Sequence, residues 1–324
     1  MKTSLSRLLV AALLTCSTTL SFAAQEPPQK QELKWGYIAA GAFYWDVFAA
    51  LDQGFMDKQG LSIKPVYINS ASQSLQLLIT GAVDILSSNA ELALDAIDKG
   101  AKLSIIGGEA IKAPWALMAQ PGIKGYADLK GKLIGVTQLN DASTRLTELL
   151  LAKHGLKKGD YKEIPLGGTP NRFAALSNGA VQATVLAQPV DFKAEASGMR
   201  RLGSVSETFK GPAIVFVARK GWLASHGDEA VGFLRAAGEG GNWLYDPKNK
   251  QVALKIFEAH NKATPDEAEK TYEMYIVKDG IISRDGRLPL DHVQNYLDLK
   301  PELAKRQAKN YVDFSFVEKA NATR

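Results

Sequence analysis

The feature that most constrains the fold is a repeated alternation of short apolar runs and helical apolar stripes, which begins at Leu33. After the first run, Tyr44, Val47, Phe48 and Leu51 recur at the i, i+3, i+4, i+7 spacing of a helix. Such alternation is typical of a parallel sheet with crossover helices. The first stretch predicts four strands, at Leu33–Ile38, Leu61–Ile68, Val83–Leu86 and Leu103–Ile106, with helices that end at Gly54, Gly81 and Gly100.

A second cycle of the same kind follows residue 127. It predicts strands at Leu133–Val136 and Lys162–Leu166, and a helix at Asn171–Asn178. The segment Gly81-Ala82-Val83 recurs as Gly179-Ala180-Val181 at an offset of 98 residues, after matching helical stripes. This weak internal repeat predicts two similar lobes.

Two apolar runs link the lobes, Pro114–Ala119 and Ala213–Ala218, and both are predicted as strands that act as hinges. The rest of the chain is predicted as helical, with a capping-box start at Thr264. The expected fold is α/β and two-lobed, with the C-terminal helices packing on lobe 1. The domain prediction is lobe 1 at residues 33–116 and 217–324, and lobe 2 at 117–216.

The N-terminus has the tripartite pattern of a secretory signal peptide: Lys2 and Arg7, an apolar run, and Ser21-Phe22-Ala23. We therefore predict a signal peptide at 1–23, a polar leader at 24–32 and a periplasmic protein. Lipoprotein anchoring at Cys16 is a weaker alternative, because Thr15 is a poor residue before such a cysteine. Cys16 is the single cysteine of the chain, so the mature protein is expected to have no cysteine chemistry.

Charge and motifs exclude several function classes. A formal net charge of +5 on 324 residues, with no block of Lys and Arg interleaved with aromatics, argues against nucleic acid as a partner. No nucleophile-elbow, zincin, Walker or dinucleotide-binding motif is present. The four histidines are not at the spacing of a compact metal site. We predict no catalytic residues, no cofactor and no metal.

Polar loops are expected at the carboxyl ends of the strands, where open α/β sheets bind ligands. Helix capping alone could explain each loop, and packing between the lobes could explain the tryptophans. Aromatic walls with a few polar anchors are nevertheless the usual make-up of a small-molecule site. The predicted ligand-binding residues are Phe43, Trp45, Ser70, Ser72, Ser88, Asn89, Trp115, Asn140, Asp141, Ser143, Thr169 and Gln188.

Short motifs in a fixed order support a family resemblance between about Leu33 and Tyr275. They include Lys34-Trp35-Gly36-Tyr37, Gly81-Ala82-Val83-Asp84-Ile85 and Asp128-Leu129-Lys130-Gly131-Lys132. The chain resembles the solute-binding proteins of nitrate, sulfonate and taurine-type ABC importers, which are related to the pyrimidine-precursor proteins of thiamine synthesis. The resemblance implies a type II periplasmic-binding fold, a ligand in the interlobe cleft and delivery to a membrane permease.

One departure from that family bears on the ligand. Where the family often has Gly-Ser at a helix start, this chain has Asn140-Asp141-Ala142-Ser143. Asp141 either caps the helix and pairs with Arg145, or faces the cleft and favours a ligand with a cationic end. We therefore predict a monomeric receptor for a small organic anion or zwitterion. The alternatives are a pyrimidine-precursor binding or synthesis protein on the same fold, and a receptor that serves a sensor.

Overall fold

The structure is a computed structural model, and it describes residues 30–38, 41–68, 70–139, 142–300 and 302–322, without the side chains of residues 71, 72 and 142. The predicted signal peptide and all but the end of the predicted leader lie outside the described residues. The described residues form ten strands: β1 (Gln31–Tyr37), β2 (Leu61–Tyr67), β3 (Ile85–Asn89), β4 (Leu103–Ala110), β5 (Ala116–Ala119), β6 (Leu133–Val136), β7 (Lys162–Pro165), β8 (Ala183–Leu186), β9 (Arg200–Ser204) and β10 (Ile214–Arg219).

The strands form two five-stranded sheets with the same order. The first sheet runs β2-β1-β3-β10-β4, and the second runs β7-β6-β8-β5-β9. In each sheet the first three strands are parallel, and an antiparallel strand lies next to the third one. The two predicted lobes therefore correspond to two sheets of matching topology, and the predicted α/β, two-lobed fold class is confirmed.

The helices follow the predicted stripes. Glycines occupy the left-handed conformation where helices α3 and α6 end, with φ of 84° at Gly81 and 79° at Gly179, which a side chain would disfavour. The α-helices are α1 (Trp45–Asp52), α2 (Phe55–Lys58), α3 (Ala71–Thr80), α4 (Ala90–Asp98), α5 (Ala142–Lys153), α6 (Thr169–Ser177), α7 (Val190–Ala196), α8 (Lys220–Ser225), α9 (Gly227–Leu244), α10 (Lys250–Asn261), α11 (Pro265–Tyr272), α12 (Leu290–Asp298) and α13 (Ser315–Asn321).

The C-terminal helices pack on the lobe of the first sheet, as predicted. Helix α9 lies against α1 so closely that a Cβ atom at Gly240 would be 2.1 Å from the carbonyl oxygen of Asp46. Helix α13 packs on α9 and β4, and α10 packs on α1. A π-helical segment, Glu273–Lys278, continues α11 toward the second sheet. These contacts bury α1, in which every residue from Trp45 to Ala50 is buried.

The chain passes between the sheets at 111–115 and again at 205–213. The apolar runs predicted as hinge strands are β5 in the second sheet and β10 in the first. The predicted lobe boundaries at 116/117 and 216/217 fall inside these two strands, and the predicted leader overlaps the start of β1. Strand pairing puts Ala116 with the second sheet and Ile214–Phe216 with the first.

Strand β3 is longer than the sequence predicts. The run Ser87-Ser88-Asn89 is the end of the strand rather than a loop, because all three residues pair with β10. Ser87 and Ser88 are fully buried, and Ser87 accepts a hydrogen bond of 2.9 Å from Trp35 Nε1. Polar side chains favour a loop by sequence. Here the backbone N–H and C=O groups of these residues pair within the sheet, so the segment is a strand.

Candidate ligand-binding cleft

Aromatic rings line the carboxyl edge of the first sheet, where the chain leaves β1. The 3₁₀ turn Ala42–Tyr44 directs Phe43 toward the crossing between the sheets. The ring of Phe43 lies 6.4 Å from that of Trp115 and 6.0 Å from that of Tyr275, in edge-to-face and tilted arrangements. Phe43 and Trp115 are 8% and 7% exposed, so the three rings form an almost closed apolar wall.

Gln188 connects this wall to the second sheet. It follows β8, is 2% exposed and forms a cis peptide bond with Pro189. Its Nε2 donates to the carbonyl oxygen of Pro114 at 3.1 Å and to Asp191 Oδ2 at 2.7 Å, while its Oε1 accepts from Tyr275 Oη at 3.0 Å. One amide therefore joins the first crossing, the second sheet and the C-terminal segment.

The carboxyl edge of the second sheet is polar and carries a buried guanidinium. Arg172, on α6, is 4% exposed, and its Nη1 donates to Thr137 Oγ1 at 2.5 Å. Thr137 Oγ1 also lies 2.8 Å from Ser143 Oγ. Thr169, the first residue of α6, accepts from Arg172 Nη2 at 3.2 Å. Hydroxyls from the segment after β6 and from the first turns of α5 and α6 are thus gathered near one cation.

An ion pair joins the two lobes beside the ends of β3 and β6. Arg145 of α5 donates to Glu91 of α4 with an N–O distance of 2.8 Å. Glu91 is 4% exposed and also pairs with the buried Lys300 at 2.8 Å, and Lys300 in turn pairs with Asp95. Because Glu91 starts the helix that follows Asn89, this cluster lies next to the predicted binding loops.

Two carboxyl groups are buried together behind the aromatic wall. Asp46, on α1, and Glu109, on β4, are 2% and 0% exposed. Burial raises the pKa of both carboxyls, and the neighbouring Asp46 further raises the pKa of Glu109. At neutral pH this pair therefore keeps a proton. A third buried acid, Asp191, also has a raised pKa because of burial, although Arg201 opposes the shift with a 2.7 Å ion pair.

The structure corrects one predicted wall residue. Trp45 is 1% exposed and faces the C-terminal helices, where its ring packs on Phe257 and Tyr272. Its Nε1 donates to the carbonyl oxygen of Ala253 at 3.1 Å. Trp45 is therefore a core residue, because α10 and α11 cover the side of α1 on which it lies.

The other predicted residues occupy varied positions. Ser70 caps α3 and accepts from the Gln73 N–H at 3.4 Å, and the buried Ser88 donates to the Asn89 carbonyl at 3.2 Å. Asn89 is half-buried before α4. The side chain of Ser72, and all of Asn140 and Asp141, lie outside the described residues. The structure brings together Phe43, Trp115 and Gln188 in one group, and Ser143 and Thr169 around Arg172 in another.

Four functional candidates were missed by the sequence reasoning: Glu91, Arg172, Tyr275 and Lys300. Tyr275 contacts Gln188 across 87 positions of sequence, and Lys300 reaches a helix more than 200 positions away, so no local pattern indicates either contact. Arg172 carried a usable signal, because an arginine three residues after Thr169 can fold back on the helix start.

Within the described part of the chain, no three His, Asp or Glu side chains are grouped so that they could hold a metal ion. Likewise, none of the helices in this part combines the length and apolar character that a bilayer-spanning helix requires.

Comparison with known proteins identifies the family. A family profile described as NMT1/THI5 like matches residues 44–250, which is more than half of the chain. The chain belongs to the NMT1/THI5-like family. YtlA of Bacillus subtilis (strain 168), described as a binding protein, is 23% identical over 274 residues, which cover 80% of each chain.

Solved structures place this NMT1/THI5-like chain among type II periplasmic-binding folds. The periplasmic nitrate-binding protein NrtA from Synechocystis PCC 6803 superposes with a TM-score of 0.76 at 13% identity, over 90% of this chain and 88% of NrtA. The alkanesulfonate-binding protein SsuA from Xanthomonas axonopodis pv. citri, bound to MOPS, gives 0.69 at 19% identity, over 91% and 99%. At such identities the likeness shows the fold.

Proposed function

We propose that this NMT1/THI5-like protein is an exported, non-catalytic solute receptor. It captures a small organic anion or zwitterion between its lobes and delivers it to the permease of an ABC importer. The observation that carries the proposal is the contrast across the cleft: an aromatic wall of Phe43, Trp115 and Tyr275 beside hydroxyls gathered by Arg172. An apolar wall with convergent polar groups is the usual make-up of a small-molecule site.

The relatives support the same class of function. NrtA is named for nitrate and SsuA for alkanesulfonates, and both are binding proteins. An anion with an apolar body fits the aromatic wall better than nitrate does, because nitrate has no apolar surface to bury. The mature chain is expected to have no cysteine, because the single cysteine, Cys16, lies in the predicted signal peptide. A pyrimidine-precursor synthase that uses cysteine is therefore not favoured.

The decisive experiment is a thermal-shift screen of sulfonates, carboxylates, amines and pyrimidines, followed by calorimetry on each hit. A ligand at 100 times its Kd should stabilise the protein by about 2.7 kcal/mol, because it binds only the folded state. At about 2–4 °C per kcal/mol for somewhat shorter chains, the melting temperature should rise by several degrees. If only amines or pyrimidines bind, the assignment to organic anions is wrong.

Export and transport are tested separately. N-terminal sequencing of the exported protein should give a chain that starts after Ala23, and lipidated Cys16 would instead place it on the membrane. Deletion of the gene should lower uptake of the confirmed ligand by the cell. Unchanged uptake, with loss of a response to that ligand, would assign the receptor to a sensor.

A further inference from the structure

Arg172 joins three segments of the second lobe at once. Its Nε donates to the carbonyl oxygen of Val185 on β8 at 3.0 Å, and its Nη1 donates to the carbonyl oxygen of Gly167 at 2.6 Å. Arg172 also donates to Thr137, after β6, and to Thr169, at the start of α6. A planar guanidinium with five donors in a rigid fork suits this task, and a lysine cannot replace it.

The direction of these bonds decides what the two threonines can do. An arginine only donates, so both Thr137 Oγ1 and Thr169 Oγ1 act as acceptors toward it. Each hydroxyl then keeps its own proton for a bond to another acceptor. Ser143 Oγ can donate to the second lone pair of Thr137, which leaves the Thr137 proton available. Both threonines are half-buried at the carboxyl edge of the sheet, where a ligand approaches.

The charge of Arg172 adds to this arrangement. A hydroxyl that accepts from a cation becomes a stronger donor, because hydrogen bonds in a chain polarise one another. Arg172 is almost fully buried, so its field is less screened there than at the surface. Hydrogen bonds to a charged acceptor gain most from such donors.

We infer that Arg172 is a positioning residue that turns Thr137 and Thr169 into donors for the oxyanion head group of the ligand, a sulfonate or a carboxylate. This inference rests on the proposed function, and it assigns the anionic end of the ligand to the second lobe. The apolar body of the ligand then faces the wall of Phe43 and Trp115. Arg172 acts through the threonines, because its Nε, Nη1 and Nη2 atoms already donate to protein oxygens.

Calorimetry with matched charged and uncharged probes tests the inference on the full mature chain. The probe pairs are ethanesulfonate with ethanesulfonamide, benzenesulfonate with benzenesulfonamide, and benzoate with benzamide. Wild type should prefer the anion of at least one pair. The loss of one hydrogen bond to a charged acceptor corresponds to roughly a tenfold to hundredfold weaker affinity. Thr169→Val should therefore weaken anion binding by about that factor and change amide binding much less.

Arg172→Gln should reduce the preference for the anion over its amide at least tenfold. Arg172→Lys should show a preference between those of Arg172→Gln and wild type. The matched control is Arg219→Gln. Arg219 donates to the carbonyl oxygens of Leu78 and Val83, both at 2.6 Å, at the end of β3 that lies away from the cleft. Arg219→Gln should lower the melting temperature but keep the wild-type preference for the anion. If Arg172 had a purely structural role, Arg172→Gln would behave in the same way.

The outcomes separate the two claims. If wild type binds none of the three anions, the proposed ligand class fails, and this inference fails with it. In a second outcome, wild type binds an anion, and the folded variants Arg172→Gln and Thr169→Val both retain the wild-type preference for that anion over its amide. This outcome would refute the role of Arg172 and leave the receptor function standing. Circular dichroism spectra and melting curves show which variants are folded.

Discussion

The two sheets have the same strand order but different chemistry at their cleft edges. Behind the edge of the first sheet lie aromatic rings and two buried acids, Asp46 and Glu109. At the edge of the second sheet, hydroxyls surround the buried cation of Arg172. The comparison teaches that topology fixes where a site forms, whereas a few buried side chains decide what each half of it attracts.

The ionisation of these groups sharpens the contrast. The raised pKa of Asp46 and Glu109 keeps a proton on the acid pair near neutral pH, which lowers the negative charge of the first lobe. Arginine stays protonated at every pH at which proteins are stable. Arg172 therefore keeps its positive charge over the pH range in which the acid pair of the first lobe gains negative charge.

The largest expected effect comes from Trp115→Ala, which removes part of the aromatic wall. Truncation of a buried tryptophan costs about 3–5 kcal/mol of unfolding free energy. It should also reduce the melting shift produced by a saturating benzenesulfonate, because apolar contact with the ligand is lost. Differential scanning fluorimetry with and without the ligand measures both effects.

Trp243→Ala is the matched control, because Trp243 is half-buried on α9, outside the group of Phe43, Trp115 and Gln188. It should lower the melting temperature and leave the shift produced by the ligand intact. An equal loss of that shift in both variants would show that the wall does not contact the ligand.

The pH dependence of stability should come partly from the acid pair of the first lobe. Below the unfolded-state pKa of about 4, both states are protonated and the pair has no effect. Above it the native state keeps protons that the unfolded state releases, so stability falls as pH rises, by at most about 1.4 kcal/mol per pH unit for one proton. The fall ends above the raised native pKa values of Asp46 and Glu109.

Urea unfolding between about pH 5 and 9 should show this slope in wild type, and the Asp46→Asn, Glu109→Gln variant should have a flatter one. Arg172→Gln should keep the wild-type slope, because arginine does not titrate in this range. Identical slopes in wild type and the double variant would mean that the pair is ionised in the folded protein.

Glu91→Gln tests the contact between the lobes. Loss of the charged acceptor for Arg145 and Lys300 should cost about 1–3 kcal/mol, less than for a fully buried pair, since Arg145 is partly exposed and Lys300 keeps Asp95. Without this pair the ligand-free protein should open more readily, although the Lys193–Glu267 ion pair at 3.7 Å still joins the lobes. Small-angle scattering should then report a larger radius of gyration.

Glu148→Gln provides the control, because Glu148 pairs with Lys158 within the second lobe, at 2.9 Å. Its radius of gyration should equal that of wild type. If Glu91→Gln also matches wild type, the interlobe ion pair does not hold the lobes together.

The smallest effect is expected at Thr264, which caps the start of α11. Its side chain accepts from the Glu267 N–H at 3.3 Å, and its own N–H donates to Glu267 Oε2 at 2.8 Å. Thr264→Ala should cost about 1 kcal/mol, and Thr264→Ser should recover most of it. Chemical unfolding measures the loss. A changed affinity for the ligand in Thr264→Ala would show that α11 is coupled to the site.

The sequence by itself determined the local structure. Apolar spacing predicted most of the strands and helices of the first lobe, and strand β6 has the predicted bounds, whereas no pattern indicated α7 or β9. The glycines that end helices adopt positive φ, and the capping box at Thr264 forms as predicted. These features depend on residues within one or two turns of each other, so a linear pattern contains the information.

Only the tertiary structure decided which groups meet. The crossing strands β10 and β5 are fourth in their sheets, between β3 and β4 and between β8 and β9. Trp45 packs into the core, and Tyr275 reaches Gln188. The proposed role of Arg172 likewise depends on β8 and on the segments after β6 and β7, which converge on one guanidinium. Such contacts join residues far apart in sequence, and their free energy comes from burial and from hydrogen-bond partners that no local spacing specifies.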